Sequence, residues 1–497
     1  MLIDVVSALN GLLLETFGPV DGQSFSAVAA DSRRVTPGAL FVAIRGTGCD
    51  GHRFIADALR RGAVGVVGEE APAGLDLPAS LPFFRVSNSA AAAARLFQAQ
   101  YGCPDRRLKL VGITGTNGKT TSVYLVQHLL NYGHIPCGRL TTVSNDTGTR
   151  IASSSCTTPD SETFYASLKE MADADLRAAA FELSSHGLDQ HRAFGIGLKA
   201  AILTNITRDH LDYHRTVEAY YQAKKRCFTE LLDRENGVAI CNYDDPLSRK
   251  MACELSGVCR CWTFGRSQSA DWKISDERLD LDGIAFRLTG PEGTFEIKSA
   301  LVGGHNVENL TGALLGARAC GLDWDVLCHG AAQPVKVPGR LELLRDDLGT
   351  AYFIDYAHTD DALERVLSFL RPLTSGRLIA VFGAGGNRDR GKRPKMGKAA
   401  SRYADRLIIT SDNPRDEKPQ DIAAEIASGL ADMSSATIEV DRRAAIALAI
   451  DAAGPQDVIA ICGKGHEDYQ EIAGIKHHFS DREELEKLLR QKGRLHR

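Results

Sequence analysis

The ten residues from Gly112 to Thr121, G-I-T-G-T-N-G-K-T-T, constrain the fold of this chain more than any other segment. An apolar run precedes them, Leu108 to Ile113, which is typical of a buried strand. After them, apolar residues recur at helical spacing until Gly133, at Val123, Val126, Leu129 and Leu130. A glycine-rich turn between a strand and a helix presents backbone N–H groups to an anion. The segment therefore predicts a phosphate-binding loop in an α/β sheet.

Two side chains of this loop suit a nucleotide. Lys119 can reach the β- and γ-phosphates of ATP, and the Thr120 hydroxyl can bind Mg²⁺. The loop departs from the general pattern, because position 113, where a glycine is usual, is isoleucine, and the glycines lie at 112, 115 and 118. A glycine-rich turn with an incidental lysine is the alternative interpretation, which the flanking strand and helix disfavour.

Further apolar strand candidates alternate with helices along the rest of the chain, which predicts parallel sheets covered on both faces. In the middle of the chain these candidates are Ala178 to Leu183, Ala200 to Leu203 and Val238 to Cys241. After Pro338 they are Tyr352 to Ile354, Leu378 to Phe382, Leu407 to Thr410 and Val458 to Ile461, with helices predicted at Asp361 to Leu370 and Gln420 to Leu430. The later series predicts a doubly wound, Rossmann-like α/β domain.

The residues before the phosphate loop show shorter strand candidates, Leu40 to Ile44 and Val64 to Val67, and a loop at Ala71 to Pro82. A chain of 497 residues is too long for one hydrophobic core. The changes of pattern predict three domains: an N-terminal domain over 1–107, a central domain over 108–337 and a C-terminal domain over 338–497. The basic end, Arg490 to Arg497, is predicted to be a frayed, solvated helix terminus.

Composition excludes several classes of protein. Acidic residues exceed basic ones by 63 to 59, a charge of −4, which disfavours a general nucleic-acid binder. No apolar run approaches the roughly 18 residues of a membrane span. The segment Met1 to Leu14 carries Asp4 and no basic region, unlike a signal peptide. We therefore expect a cytoplasmic protein.

The twelve cysteines are scattered, apart from one cluster, Cys253, Cys259 and Cys261. Paired zinc knuckles, or histidines at ligand spacing, do not accompany this cluster. We expect buried or half-buried free thiols, which behave as small hydrophobic residues and stay unpaired in a reducing compartment.

Beyond the phosphate loop, six motifs resemble those of the Mur ligase family. The loop variant G-T-N-G-K-T-T is shared by Mur ligases and folylpolyglutamate synthetases. The others match Mur ligases that add the third amino acid of the peptide: E-L-S-S-H-G-L-D-Q-H-R (182–192), T-N-I-T-R-D-H-L-D-Y-H (204–214), D-Y-A-H (355–358), G-N-R-D-R-G-K-R-P (386–394), D-N-P-R (412–415) and G-K-G-H-E-D-Y-Q (463–470). The resemblance continues through the whole chain and includes D-S-R (31–33) near the N-terminus.

The resemblance implies a three-domain α/β ligase of peptidoglycan synthesis. It would use ATP and Mg²⁺ to join meso-2,6-diaminopimelate to the D-Glu γ-carboxylate of UDP-MurNAc-L-Ala-D-Glu through an acyl phosphate. Because a carboxylate must approach a triphosphate, cations that neutralise developing charge are the main catalytic requirement. These small molecules are the expected partners of a cytoplasmic monomer, with no nucleic acid and no membrane.

The resemblance also implies catalytic roles for Lys119, Glu182, His210 and Lys224. Glu182 and His210 correspond to Mg²⁺ ligands, together with Thr120 and Lys224. Alone, a glutamate at a strand end or a histidine in a loop is more often a hydrogen-bonding residue. Lys224 falls where the family lysine is carbamylated, which would turn a cation into an anion. Without the resemblance, Lys224 to Arg226 would be interpreted as a solvated helix face, and Lys225 and Arg226 are still expected to be surface charges.

Further residues are assigned to ligands by the same resemblance. The ATP set is Gly115, Thr116, Asn117, Gly118, Lys119, Thr120, Thr121, Asn306, Arg340, Asp355 and His358. The set for the UDP-sugar and peptide is Ser32, Thr47, Gly48, Cys49, Cys156, Thr157, Thr158, Ser184, Gln190 and Arg192. Cys156 replaces an amide residue often found there, which puts one sugar contact in doubt, and Asp360 replaces a common proline. The set for the incoming amino acid is Arg388, Asp412, Asn413, Pro414, Arg415, Gly463 and Glu467.

Selection of the amino acid is expected to depend on its distal carboxylate, which lysine lacks. Arg415, with Arg388 as a second cation, can recognise this group, and lysine would leave the Arg415 cation without a partner. Glu467 and the Gly463 backbone would hold the distal ammonium end.

Two rival enzymes share the mechanism: a lysine-adding Mur ligase, which D-N-P-R disfavours, and a folylpolyglutamate synthetase, which D-S-R near the N-terminus disfavours. A P-loop regulator that binds ATP without ligating anything is a rival of another class, disfavoured by the metal-ligand candidates beyond the loop.

Overall fold

The computed structural model describes residues 4–19, 24–46, 48–70, 78, 80–154 and 156–495. The chain divides into two compact units. The first unit comprises Met1–Glu277, Phe286–Lys298 and Val307–Gln333, and the second comprises Arg278–Ala285, Ser299–Asn306 and Pro334–Arg497. The predicted bounds of the three domains, 1–107, 108–337 and 338–497, remain a prediction.

The N-terminal part of the first unit is built on a five-stranded sheet of order β1-β5-β4-β3-β2, in which only β1 is antiparallel to its neighbour. The strands are Leu13–Phe17 (β1), Val28–Ala29 (β2), Leu40–Val42 (β3), Gly65–Gly68 (β4) and Phe83–Val86 (β5). The helices are Val5–Ala8 (α1), Ile55–Arg60 (α2) and Ser89–Gln100 (α3). Both predicted strands are confirmed: the one at 40–44 begins as predicted and ends at Val42, and the one at 64–67 lies one residue later, at Gly65–Gly68. The predicted loop at 71–82 lies largely outside the described residues.

An eleven-stranded sheet follows, of order β16-β15-β14-β13-β12-β11-β6-β10-β7-β8-β9. Its strands are Lys109–Thr114 (β6), Cys137–Leu140 (β7), Ser144–Asp146 (β8), Ile151–Ser153 (β9), Ala178–Glu182 (β10), Leu198–Leu203 (β11), Val238–Asn242 (β12), Arg260–Gly265 (β13), Trp272–Leu279 (β14), Ile284–Gly290 (β15) and Gly293–Ser299 (β16). The central strands β7, β10, β6, β11, β12 and β13 are parallel, as their apolar runs predict. The carboxyl ends of β6, β10 and β11 therefore meet at one edge.

Helices connect these strands: Lys119–Tyr132 (α4), Ser161–Asp173 (α5), Ser185–Asp189 (α6), Leu211–His214 (α7), Val217–Thr229 (α8), Pro246–Leu255 (α9), Gly304–Ala319 (α10) and Trp324–Ala331 (α11). The predicted helix after the phosphate loop is α4, which buries all four predicted apolar positions and ends next to Gly133.

The second unit contains a six-stranded sheet of order β17-β18-β22-β19-β20-β21, parallel except for β17. Its strands are Glu342–Arg345 (β17), Ala351–Asp355 (β18), Leu378–Phe382 (β19), Arg406–Ile409 (β20), Ala436–Ile438 (β21) and Val458–Cys462 (β22), with a separate hairpin of Tyr469–Ile472 (β23) and Ile475–His478 (β24). The helices are Asp360–Leu373 (α12), Lys392–Ser401 (α13), Pro419–Ala427 (α14), Arg442–Ala452 (α15) and Asp481–Gln491 (α16). Apolar clusters cover both faces of the sheet, so the doubly wound prediction is confirmed.

The prediction of a frayed basic end is wrong for the part of that end that is described. Helix α16 ends at Gln491, and Arg494 then folds back, with its Nε 2.7 Å from Oδ2 of Asp346. Its Nη1 donates to the Ile450 carbonyl over 2.6 Å. The Asp346 side chain is fully buried, and a buried carboxylate requires a cation or several donors. Arg494 therefore anchors the end of the chain to the second unit.

Ten of the twelve cysteines are buried or half-buried free thiols, as predicted, whereas Cys49 and Cys253 are exposed. Among the described residues, no helix is both long enough and apolar enough to cross a membrane.

Candidate active site

The loop between β6 and α4 needs glycine at two of its positions. Gly115 has φ +142°, and a Cβ there would lie 1.9 Å from Thr204 Oγ1. Gly118 has φ +85°, and a Cβ there would lie 2.2 Å from Asn309 Oδ1. Both values of φ are rare for residues with side chains, and neither position has room for one. The loop is therefore held against the residues after β11 and on α10 of the first unit.

Two lysine ammonium groups meet at this loop. Lys119 Nζ donates to the carbonyls of Gly115 and Thr116 over 2.9 and 2.8 Å. Lys224 Nζ donates to the same Gly115 carbonyl over 2.8 Å, although Lys224 is only 1% exposed. Desolvation, and then the charge of Lys119, lower the pKa of Lys224 well below its ordinary value. Lys224 is thus a buried amine and not part of a solvated helix face.

Glu182 ends β10 beside the loop and is 2% exposed. Its Oε1 accepts from Thr120 Oγ1 and from the Thr142 amide, each over 2.9 Å, and its Oε2 accepts from Thr142 Oγ1 over 3.2 Å. A hydroxyl and a carboxylate side by side are the hard oxygen donors that Mg²⁺ prefers. In the described part of the chain, no three His, Cys, Asp or Glu side chains form a metal cage. Mg²⁺ commonly takes only one or two protein ligands beside phosphates and water, so these oxygens fit it.

His210 precedes α7 in a left-handed conformation, with φ 50°. Its ring centroid lies 4.9 Å from the ring of His186 and 6.2 Å from that of Tyr220. Lys224 Nζ lies 4.5 Å from the same Tyr220 ring. The structure thus places His210 and Lys224 beside the same Tyr220 ring. The Tyr220 hydroxyl lies 3.1 Å from Thr116 Oγ1, which belongs to the phosphate loop.

The predicted peptide-binding residues assemble around Thr158. Its Oγ1 donates to the Glu182 carbonyl over 2.9 Å and lies 3.1 Å from Ser184 Oγ. Arg192 Nη1 donates to the Thr158 carbonyl, and Arg192 Nη2 donates to Gln190 Oε1 over 2.7 Å. Nearby, Thr142 Oγ1 lies 3.1 Å from Thr157 Oγ1, and Cys156 Sγ donates to the Thr158 carbonyl. These residues form one network with Glu182.

The predicted UDP-sugar residues follow neighbouring parallel strands of the N-terminal sheet. Ser32 lies after β2, and Gly48 and Cys49 lie in the loop after β3, where both are exposed. The ends of parallel neighbours meet at the same edge, which is where loops gather ligands. Thr47 lies outside the described residues.

The remaining predicted ATP residues lie in the second unit: Asn306, Arg340, Asp355 and His358. Asn306 Nδ2 donates to the Val302 carbonyl over 2.7 Å. Arg340 lies over the Tyr356 ring, 5.2 Å from its centroid. The Asp355 carboxylate accepts from the amides of Leu341 and Ala357, each over 2.8 Å, which fixes the loop after β18. Desolvation raises the pKa of Asp355, against the opposing effect of Arg340.

In the same loop, His358 Nδ1 lies 2.8 Å from the Tyr356 carbonyl oxygen, so the His358 ring is anchored to its own backbone turn.

The D-N-P-R segment packs against the glycines after β19. The Gly386 amide donates to the Asn413 carbonyl over 2.9 Å, and a Cβ on Gly386 would lie 1.8 Å from the Pro414 oxygen. A Cβ on Gly385 would lie 3.1 Å from Arg415 Nη1 and 3.7 Å from Arg388 Cγ. The two arginines predicted to act together therefore flank the same glycine.

Arg415 is not without partners, which corrects one expectation. Its Nε donates to Glu471 Oε2 over 3.0 Å, and its Nη1 donates to the Gly386 carbonyl over 2.8 Å. The Arg415 side chain is 21% exposed. A lysine substrate would therefore not leave an unpaired cation, so any discrimination must come from the bond that diaminopimelate adds.

Lys464 lies at the centre of the predicted amino-acid site. Its fully buried Nζ donates to Asn413 Oδ1 and to Glu467 Oε2, each over 3.2 Å, and lies 3.8 Å from Asp412 Oδ1. Asn413 Nδ2 also donates to Glu467 Oε2, over 2.8 Å. Gly463, with φ +118°, brings its backbone close to Asp412. Desolvation raises the pKa of Asp412, and Lys464 opposes this increase.

Four residues of these networks were not selected from the sequence: Thr142, Tyr220, Lys464 and Glu471. Lys464 stands inside G-K-G-H-E-D-Y-Q, so the motif could have indicated it. Thr142, Tyr220 and Glu471 carry no local signal, because their importance comes from partners distant in sequence.

Comparison with known proteins agrees with this arrangement. Three family models match: the Mur ligase family catalytic domain at 24–101, the Mur ligase middle domain at 113–317 and the Mur ligase glutamate ligase domain at 339–465. A UDP-N-acetylmuramoyl-L-alanyl-D-glutamate–2,6-diaminopimelate ligase of Aquifex aeolicus is 41% identical over 462 residues, 93% of each chain. A solved structure of a ligase with this name has a TM-score of 0.74 and 34% identity, covering 99% of this chain and 100% of that one.

A MurF ligase of Thermotoga maritima in complex with ADP shares the fold, with a TM-score of 0.55 and 20% identity over 88% of this chain and 93% of that one. The chain therefore belongs to the Mur ligase family. It is an ATP-dependent ligase that forms amide bonds between small-molecule substrates.

Proposed function

We propose that this enzyme joins meso-2,6-diaminopimelate to the D-Glu γ-carboxylate of UDP-MurNAc-L-Ala-D-Glu, using ATP and Mg²⁺, in peptidoglycan synthesis. The observation that carries the choice of amino acid is the D-N-P-R turn, which holds Arg415 beside Arg388 at Gly385. Relatives of about 40% identity over more than nine-tenths of the chain bear the name of this activity.

In this proposal the loop between β6 and α4 binds the phosphates. Its amides and the start of α4 attract anions, and Lys119, which now donates to the Gly115 and Thr116 carbonyls, can turn to the phosphate oxygens. Thr120 and Glu182 would hold one Mg²⁺ ion, and His210 would bind a second. When bound, Mg²⁺ neutralises phosphate charge, so that a carboxylate can approach.

The peptide substrate would be held by the Thr158 network. Arg192 offers a planar fork to a carboxylate or phosphate, and Gln190 aligns that fork through Oε1. The substrate γ-carboxylate then attacks the γ-phosphate of ATP, and ADP leaves. The amine of the incoming amino acid attacks the acyl phosphate, inorganic phosphate leaves, and the amide forms.

Lys224 is proposed to carry a carbamate. Only a neutral amine adds CO₂. Burial and the charge of Lys119 lower the pKa of Lys224, which favours its neutral form. The carbamate would place an anion where the unmodified residue places a cation, beside Tyr220 and His210.

The enzyme is proposed to act in the cytoplasm, because twelve free cysteines suit a reducing compartment.

The decisive experiment is ligation of UDP-MurNAc-L-Ala-D-Glu with a panel of amino acids, followed by ADP release and by the mass of the product. We expect ADP release only when both substrates are present, with meso-diaminopimelate preferred. Equal use of L-lysine would refute the selectivity, and ADP release without product would refute the ligase activity.

A further inference from the structure

The hairpin β23–β24 runs along the D-N-P-R segment and bonds to it at several points. Gln470 Nε2 donates to the Asp412 carbonyl over 2.8 Å, and the Glu471 amide donates to Asn413 Oδ1 over 2.9 Å. The Arg415 amide donates to the Glu471 carbonyl over 3.0 Å, and the Ala473 amide donates to the Arg415 carbonyl over 2.8 Å. The hairpin thus holds the backbone of the D-N-P-R segment in place.

One side chain of the hairpin also reaches the Arg415 guanidinium. Glu471 Oε2 accepts from Arg415 Nε over 3.0 Å, while the Gly386 carbonyl accepts from Nη1 over 2.8 Å. Both groups are only partly exposed, at 21% for Arg415 and 25% for Glu471. Two acceptors on different sides fix the plane of the guanidinium. Nη2, for which neither acceptor is a partner, can still donate to an incoming carboxylate.

The hairpin main chain, and not the Glu471 side chain, supports the backbone conformation of Arg415. Arg415 has φ 51°, a left-handed conformation that is strained for a residue with a side chain. The two backbone bonds to Glu471 and Ala473 hold this conformation. Without the Glu471 side chain, the Arg415 backbone stays in place, but the long side chain regains freedom of rotation.

We propose that Glu471 is a positioning residue for Arg415 and thereby a determinant of selectivity for an amino acid with a distal carboxylate. Glu471 does not touch the substrate; it holds the guanidinium ready for that carboxylate. The inference rests on the proposed function, since it concerns how Arg415 recognises diaminopimelate. It predicts that the Glu471 side chain affects KM for meso-diaminopimelate only through Arg415.

The test is a double-mutant cycle on the full-length enzyme with Glu471→Ala, Arg415→Ala and the double variant. Glu471→Ala should raise KM for meso-diaminopimelate about tenfold, as expected when a supporting acceptor is removed, with kcat nearly unchanged. KM for ATP and for UDP-MurNAc-L-Ala-D-Glu should stay within about twofold. In the Arg415→Ala background, Glu471→Ala should add nothing. Glu471→Gln, which keeps an oxygen acceptor for Nε, should cost about threefold or less.

The matched control is the Arg402–Glu364 pair of the same unit, whose Nη1 and Oε1 are 3.1 Å apart on the surface. Glu364→Ala should leave every KM unchanged. An unchanged or lowered KM for diaminopimelate in Glu471→Ala would overturn the inference, as would an equal loss in the presence and absence of Arg415. Failure of the wild-type enzyme to ligate diaminopimelate would instead refute the proposed function.

Discussion

At the scale of single residues, the site depends on charges held in unusual places. Lys224 has almost no contact with solvent, and its amine is bonded to the Gly115 carbonyl within reach of the charge of Lys119. Two unmodified ammonium groups at one carbonyl repel each other. The arrangement favours either a neutral Lys224 or its conversion to an anion.

Lys119→Ala should abolish formation of the acyl phosphate and leave the fold intact. The Lys119 side chain bonds to carbonyls of its own loop, so its removal opens no cavity in the core. Single-turnover assays of ADP release and a thermal melt would measure the two effects. Lys199→Ala is the control, because its Nζ also donates to a carbonyl, that of Asn236. Normal turnover by a folded Lys119→Ala enzyme would refute the proposal that this loop binds the phosphates of ATP.

Lys224→Ala should be nearly inactive, and short carboxylic acids should restore part of the activity by supplying the missing anion. Activity at graded acetate concentrations would measure the rescue, and intact mass at low temperature under added CO₂ would seek the carbamate. Lys225→Ala is the control, since its amine pairs with Glu254 over 2.8 Å and should not matter. Full activity of an unmodified Lys224 after CO₂ depletion would contradict the prediction.

Arg415→Ala should raise KM for meso-diaminopimelate by about 10- to 100-fold, the range of a lost charge-assisted hydrogen bond. The range is smaller than for a buried arginine left unpaired, because Glu471 and Gly386 already accept from Arg415. Steady-state kinetics with each substrate varied in turn should show little change in KM for ATP. Arg402→Ala is the surface control, and a comparable rise in KM for ATP would exclude the assignment.

At the scale of elements, the buried parallel strands were predictable because residues covered on both faces must be apolar throughout. The runs at 178–183 and 378–382 confirm this with an error of at most one residue. The strands β14 to β16 and the hairpin β23–β24 were missed, since their outward residues are polar and the segments resemble loops. The missed hairpin carries Glu471, so the partner of Arg415 could not be predicted either.

The phosphate loop is the element in which conformation and packing coincide. Gly115→Ala would place a Cβ 1.9 Å from Thr204 Oγ1 at φ +142°, so we expect a loss of about 2 kcal/mol or more of stability and weaker ATP binding. Thermal melts and KM for ATP would measure both. Adding Thr204→Ala removes the clash but not the backbone strain, and should restore stability only in part.

Gly197→Ala is the matched control for Gly115→Ala in the same unit. A Cβ at Gly197 would meet Asp233 Oδ2 at 3.6 Å, an ordinary contact. If Gly115→Ala melted and bound ATP like Gly197→Ala, the described conformation of the loop would be wrong.

At the scale of the whole molecule, the first unit carries the phosphate loop and the Thr158 network, and the second carries the D-N-P-R turn and Lys464. Motifs predicted this distribution, because each motif is local in sequence. They could not predict how strongly burial alters the charges within each unit. Stability against pH therefore tests the structure independently of catalysis.

His191 offers such a test in the first unit. Its Nδ1 accepts from Arg226 Nη2 over 2.8 Å, and its Nε2 lies 3.1 Å from Asn88 Nδ2. Desolvation, followed by the Arg226 charge, lowers the pKa of His191 to about 4. The unfolded chain, with an ordinary pKa near 6.5, binds this proton first. Stability from His191 is thus complete above about pH 6.5 and is lost as the pH falls toward 4. Over that interval the loss is on the order of 2–4 kcal/mol.

His191→Gln keeps a polar side chain but cannot titrate. We expect the variant to be less stable than the wild type at pH 7.5, and the difference in melting temperature of the first unit to shrink or reverse by pH 5. His478→Gln is the control of opposite sign, because the hydrogen bond that the protonated His478 ring donates to the Glu483 carboxylate raises the pKa of the exposed His478. Melts at half-unit steps of pH would decide the matter. Parallel curves for wild type and His191→Gln would mean that His191 is not buried against Arg226.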